Sequence, residues 1–179
     1  MSFLMRVIGL AGWSGAGKTT LLARLIPELG LRGVSVSTVK RAHRGFDLDT
    51  PGKDSHTHRS AGAHEVLVSS PRRWALMHEL RDEPEALLPE LLTRLSPVDL
   101  VVVEGFKREP HVKIEIHRAA NGKPPLHPGD PTIVAVASDV PFPGAACPVV
   151  GLDDVPAIAD IVLERAEPLA AALARLRRL

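Results

Sequence analysis

An α/β fold with a mainly parallel sheet flanked by helices is predicted by three observations. Short apolar runs of strand length recur along the chain, and stretches with leucines at helical spacing lie between them. The run DLVVVE at 99–104 is apolar between two acids, the pattern of a central strand buried on both faces. The 179 residues suit one domain, 1–179, long enough to bury about two-thirds of the surface exposed by the unfolded chain. Hydrophobic residues at 45% and charged residues at 24% exclude a disordered or collagenous chain, while 16 prolines and 14 glycines predict conspicuous loops.

Taken in order, residues 7–11 (VIGLA) read as a strand entering a glycine-rich turn, after which Leu21, Leu22, Leu25, Ile26 and Leu29 have helical spacing. Pro27 is expected to kink this helix, and Gly30 or Gly33 to end it. Residues 34–39 (VSVSTV) form a second strand. Residues 40–59 are polar without apolar periodicity and predict a long loop, a feature that in a compact domain is usually functional. A short strand follows at 66–69. Leu87, Leu88, Leu91, Leu92 and Leu95 predict a helix over 84–95, with Pro89 tolerated only near its first turn. After the central strand, residues 112–116 alternate apolar and charged side chains, as a half-exposed strand should. Residues 121–131 are a turn cluster and 132–137 a further strand. Residues 155–179 read as a final amphipathic helix broken at Pro168, its Arg175, Arg177 and Arg178 suiting a helix C-terminus.

Net charge is +1, from 22 basic and 21 acidic residues, so no broad footprint for nucleic acid or an anionic membrane is present and any polyanion bound must be small. The single cysteine, Cys147, has no partner for an internal disulfide and no zinc-ligand spacing, which fits a reducing cytoplasm. Residues 1–5 lack the pattern of an export signal, and no stretch approaches about 18 uninterrupted apolar residues, so neither export nor membrane insertion is expected.

The chemistry concentrates at 12–19, GWSGAGKT, which matches G-x-x-x-x-G-K-[ST] in full, with a strand before it and a helix after it. Glycines at 12, 15 and 17 let the backbone from Gly12 through Ser14, Gly15, Ala16 and Gly17 curl so that its N–H groups point at phosphate oxygens. The helix N-terminus at Thr19 and Thr20 adds partial positive charge. Lys18 supplies a mobile cation to the β- and γ-phosphates, and the Thr19 hydroxyl is offered to Mg²⁺. The bland alternative is a glycine-rich turn that merely caps a helix.

Mg²⁺ on a nucleotide keeps several waters and takes few protein ligands, among them a carboxylate at the end of a neighbouring strand. Glu104 is so placed, with Gly105 leaving space beside it; the alternative is an ordinary strand-terminal acid. Asp99, at the start of the same strand, reads as structural. In the long loop, Asp47, Asp49 and Asp54 stand among Lys40, Arg41, Arg44, Lys53 and Arg59. Such a segment can close on Mg²⁺ and the γ-phosphate as a switch, with Asp49 the candidate ligand, or can be merely solvated. His43, His56, His58 and His64 raise the rival of a transition-metal site, although His56-Thr57-His58 is only H-x-H. The Asn-Lys-x-Asp sequence that reads guanine is absent. Asp139, after the strand at 132–137, can accept hydrogen bonds from guanine N1–H and the exocyclic amine, or can cap the turn before Pro141.

Together GWSGAGKTTL, TVKRAHRGFDLDTPGKDSHTHRSAGA at 38–63, SSPRRWALMHEL at 69–80, DLVVVEGFK at 99–107 and VAVASD at 134–139 resemble the MobB family of adapter proteins in molybdopterin-guanine dinucleotide biosynthesis. The resemblance implies a P-loop NTPase fold and a homodimeric GTP-binding protein with weak intrinsic GTPase activity, assisting the MobA guanylyltransferase that joins GMP to molybdopterin. Related ATPases with a deviant loop carry a signature lysine where Trp13 stands, so a lysine acting in trans from that position is missing. Two other functions fit the loop. One is a small-molecule kinase with Arg72 and Arg73 as a lid; the other is a metal-insertion GTPase using the histidine-bearing loop.

Overall fold

The structure is a computed structural model that describes residues 4–42 and 45–178. The chain divides into two compact units, 1–41 with 88–179 and 42–87.

The first unit is a twisted α/β sandwich. Its strands are β1 (Arg6–Ala11), β2 (Val36–Lys40), β5 (Leu100–Glu104), β6 (Lys113–His117), β7 (Ile133–Ser138), β8 (Val149–Gly151) and the two-residue β9 (Glu167–Pro168). The order across the sheet is β2-β5-β1-β6-β7-β8 and every pair on this path is parallel, while β9 runs antiparallel to the start of β1. The register sets Leu10 and Lys40 on either side of Glu104, and Ala11 beside Glu115, so four strands end together where the glycine-rich turn begins. Helices α1 (Lys18–Leu31) and α4 (Val155–Arg165) cover one face, packing Leu21, Leu25, Leu29, Ile158 and Val162 on Ile8, Leu10, Val102 and Ile114. Helices α3 (Leu88–Thr93) and α5 (Leu169–Leu176) cover the other, with Leu88, Leu92, Ala172 and Leu176 against Val7, Val101 and Val103. Burying both faces is what allows β5 to be apolar throughout.

Several expectations need correction. Helix α1 runs from Lys18 to Leu31 with Pro27 inside it, the ring on the exposed face while Leu25 and Leu29 on either side are fully buried. It ends in a turn where Arg32 N–H donates to Leu29 O and Gly33 N–H to Gly30 O. The helix expected over 84–95 contracts to Leu88–Thr93, with Pro89 in its first turn as required. Strand β6 is buried along its whole length instead of half-exposed. The final segment does break at Pro168, into two helices separated by β9; Leu179 lies outside the described residues. Asp99 is structural, accepting from the backbone N–H of Ser35 at 2.8 Å and its hydroxyl at 2.6 Å.

The second unit holds α2 (Asp54–Ser60) and an antiparallel hairpin of β3 (Glu65–Ser70) and β4 (Arg73–His78). The stretch expected to be loop to residue 59 therefore becomes helical at Asp54, a helix with no buried residue and hence no apolar signal. Arg59 organises the unit. It donates to Asp47 at 2.7 and 3.2 Å, stands 2.9 Å from Glu79 Oε1 and 3.6 Å from Asp49 Oδ2. The guanidinium, with the Asp49 N–H, holds the Asp47 carboxyl down at about 2. His78 is bonded to Glu65 and Glu83, which raise its pKa. The hairpin leaves Leu67, Val68, Trp74 and Leu76 exposed, Trp74 to 66%. Among the described residues no helix is long and apolar enough to cross a membrane.

Candidate functional site

The glycine-rich turn leaves the end of β1 and enters α1, and its geometry is that of a cradle. Gly12 has φ +148°, and a Cβ there would meet the carbonyl oxygen of Ile116, so the chain can leave the sheet this closely only without a side chain. Gly15 and Gly17 also take positive φ, and Gly17 stands as the residue before α1. Ala16 is buried, its N–H donating to Trp13 O at 3.1 Å, while Ser14 is exposed and its carbonyl accepts from Asn121 Nδ2 at 3.3 Å. Thr19 and Thr20 lie exposed in the first turn of α1.

Lys18 Nζ donates to the carbonyls of Gly12 and Trp13, at 2.9 and 3.0 Å, and so lies across the mouth of the loop. Burial lowers its pKa. The Glu104 carboxylate opposes that shift, and the charges of Lys107 and Lys40 add to it. At the end of β5, Glu104 is 7% exposed and its Oε1 accepts from Thr19 Oγ1 at 3.0 Å. Lys40, at the end of β2, donates to the same hydroxyl at 3.3 Å and stands 3.7 Å from Glu104 Oε1. The structure thus joins Lys18, Thr19 and Glu104, the three residues that the motif and the strand-end argument single out. A buried carboxylate facing a hydroxyl is the hard oxygen donor pair that Mg²⁺ favours, and the residues present fit that ion.

The segment after β6 walls the loop. Trp13 Nε1 donates to Pro124 O at 2.9 Å, and Arg118 lies within van der Waals reach of the space beside Gly17. Asp139, following β7, accepts from Ala119 N–H at 2.8 Å through Oδ1, and its Oδ2 stands 3.8 Å from Arg118. Beside it opens a cleft of about 470 Å³ lined by Asp139, Phe142, Pro143, Val149 and Val150. Loop 121–131 is itself anchored by Glu115, fully buried, which accepts from the backbone N–H groups of Leu126 and His127 and faces His127 Nδ1 at 3.0 Å.

Asp49 belongs to the second unit, where Oδ1 accepts from Ser55 Oγ at 2.7 Å and Oδ2 faces Arg59. Arg72 lies in the hairpin turn and Arg73 begins β4. His43 and Arg44 fall outside the described residues, and among the described residues no three His, Cys, Asp or Glu are grouped to hold a metal ion. Sequence reasoning passed over Lys40 and Lys107 as site residues. Lys40 is the last residue of a strand that ends level with Glu104, a position recognisable only once the strand order is known.

A parallel sheet with β1 and the carboxylate-bearing β5 as neighbours, and a glycine cradle leading from β1 into a helix, defines a P-loop NTPase fold. The chain belongs to the MobB family: the model for "Molybdopterin guanine dinucleotide synthesis protein B" matches residues 7–139. It is 43% identical over 164 residues to the molybdopterin-guanine dinucleotide biosynthesis adapter protein of Escherichia coli (strain K12), covering 90% of this chain and 93% of that protein. It is 40% identical over 158 residues to the protein of the same description from Haemophilus influenzae, covering 87% and 86%. Among solved structures it is similar to molybdopterin-guanine biosynthesis protein B, with a TM-score of 0.67 and 29% identity over 88% of this chain and 98% of that one.

Proposed function

We propose that this protein is a Mg-GTP-binding adapter that assists a MobA-type guanylyltransferase in attaching GMP to molybdopterin, acting in the cytoplasm as a homodimer with weak intrinsic GTPase activity. The observation that carries the reading is the meeting of Lys18, Thr19 and Glu104 at one loop, in a chain 43% identical to a relative described as a molybdopterin-guanine dinucleotide biosynthesis adapter protein. In this reading the N–H groups from Gly12 and Ser14 through Gly15, Ala16, Gly17, Lys18, Thr19 and Thr20 hold the phosphates. Thr19 and Glu104 are the protein's share of the Mg²⁺ shell, and the ion when bound neutralises phosphate charge. Asp139 takes the guanine edge, with the adjoining cleft as the seat of the base.

Slow hydrolysis follows from what the loop supplies, which is binding and charge. Fast turnover also needs an oriented water and often a donated cation, and Trp13 occupies the signature-lysine position. Homodimerisation is supported by the exposed apolar hairpin, since two strands alone are marginal in water and contiguous apolar surface marks a contact.

Calorimetry with GTP, GDP and ATP tests the first half of this reading. GTP is expected to bind more tightly than ATP, Lys18→Ala to abolish triphosphate binding with a normal melting curve, and Glu104→Gln to weaken its Mg²⁺ dependence. Asp139→Asn, which keeps the acceptor for Ala119, should narrow the GTP–ATP difference by about 1–3 kcal/mol. Dinucleotide formation by a MobA-type enzyme tests the second half: added protein should raise product and Lys18→Ala should not. Equal GTP and ATP affinity, or no effect on product at any GTP concentration, refutes the adapter reading.

A further inference from the structure

Trp13 receives two ammonium groups from two directions. Its carbonyl accepts from Lys18 Nζ at 3.0 Å, and Lys107 Nζ lies 3.8 Å from the centre of its indole ring. The ring is fixed, because Nε1 donates to Pro124 O at 2.9 Å. Lys107 sits three residues beyond Glu104, on the stretch leaving β5, and among the described residues no acid pairs with it. Three lysines, at 18, 40 and 107, therefore surround a loop that offers one carboxylate, Glu104, itself engaged by Thr19. Such an excess of positive charge suits an anion bearing several charges.

A cation over an indole face is held less strongly than one paired with phosphate, so the ring keeps the ammonium at the loop without competing for it. Segments beside a nucleotide can be ordered by contacts to its terminal phosphate and Mg²⁺. We propose that Lys107, held on the Trp13 ring, contacts the terminal phosphate of the bound nucleoside triphosphate and sets a preference for triphosphate over diphosphate. This rests on the nucleotide-binding reading above and adds a residue that the loop motif does not include.

The test is calorimetry on the full chain with Mg²⁺, comparing a slowly hydrolysed GTP analogue with GDP. Lys107→Gln is expected to lose roughly tenfold or more in triphosphate affinity, the size of one charged hydrogen bond, with GDP affinity unchanged. Lys107→Arg, which stacks on indole and bonds phosphate, should retain most of the preference. Trp13→Leu should reproduce a smaller selective loss and Trp13→Phe should keep much of the preference, since only the latter preserves an aromatic face. Melting curves identify any variant that fails to fold. An unchanged triphosphate-to-diphosphate ratio in Lys107→Gln, or equal losses for both nucleotides, overturns the proposal. If the unsubstituted protein binds neither nucleotide, the nucleotide-binding reading fails and this one falls with it.

Discussion

The imidazole of His111 occupies the space beside Gly9 that any side chain there would fill: a Cβ on Gly9 would overlap Nε2 of the ring and lie 2.8 Å from its Cδ2. Gly9 is in the middle of β1, paired with Val103 on one side and Lys113 on the other, and His111 is 1% exposed. A glycine in the strand that leads to the phosphate loop is thus a packing requirement set by a residue distant in sequence.

Gly9→Ala should accordingly cost about 1–3 kcal/mol by overpacking, read from urea unfolding. Adding His111→Ala to that variant should cost less than the sum of the two single changes, because the second truncation removes the imidazole's part of the clash and leaves only that with Lys113 Cγ at 2.8 Å. Strictly additive effects would show that the two sites do not press on each other.

Acid should destabilise the protein through the same histidine. Burial, with the Lys113 charge adding to it, holds the His111 imidazole down at about 3. An unfolded chain takes up that proton near pH 6.5 and the folded one does not, so stability falls as pH drops from about 6.5 toward 3, by a few kcal/mol in order of magnitude. His111→Phe removes the titrating group at similar volume. Its stability should decline less steeply across this window in denaturant titrations at several pH values, and an unchanged slope would reassign the acid sensitivity.

Glu115→Gln should loosen the wall of the phosphate loop. Both carboxylate oxygens accept backbone N–H groups, from Leu126 at 2.7 Å and His127 at 2.9 Å, and an amide offers only one acceptor while turning a donor toward the other. The expected loss is about 1–3 kcal/mol, with faster hydrogen exchange at Leu126 and His127. Unchanged exchange at both amides would mean that loop 121–131 holds itself.

In the second unit, Trp74→Glu together with Leu76→Lys should leave the fold intact and shift the proposed homodimer to monomer in sedimentation equilibrium, since both side chains are exposed in the single chain. A dimer surviving both changes would place self-association on another surface.

The sheet and the phosphate loop were legible because β1, β5 and α1 carry strong periodic signals and the motif joins them. The pattern of β6 predicts half-exposure because Lys113 and Glu115 alternate with Val112, Ile114 and Ile116. Each charge is instead buried and satisfied from outside the strand, Lys113 by Glu109 O and Asp130, Glu115 by residues 126 and 127. Alternation reports polarity, and long-range partners decided burial here. Strand β4 went unrecognised because WALM is a run without alternation, and β8 because three residues give no period. Lys107 could not be linked to Trp13 by any spacing rule.

The clasp of β9 on β1 has a consequence for the order in which the molecule can be built. Arg6 and Val7 pair with Pro168 and Glu167, Leu169 N–H donates to Met5 O, and Arg6 reaches Leu163 O at 2.6 Å. Strand β1 is therefore completed by residues translated long after it. Pairing across so long a separation is entropically slow to form. A ribosome stalled before residue 167 would hold a chain in which β1 keeps a bare hydrogen-bonding edge at Arg6 and Val7. Maturation of the phosphate loop's support is in this way tied to the arrival of residues 167 and 168.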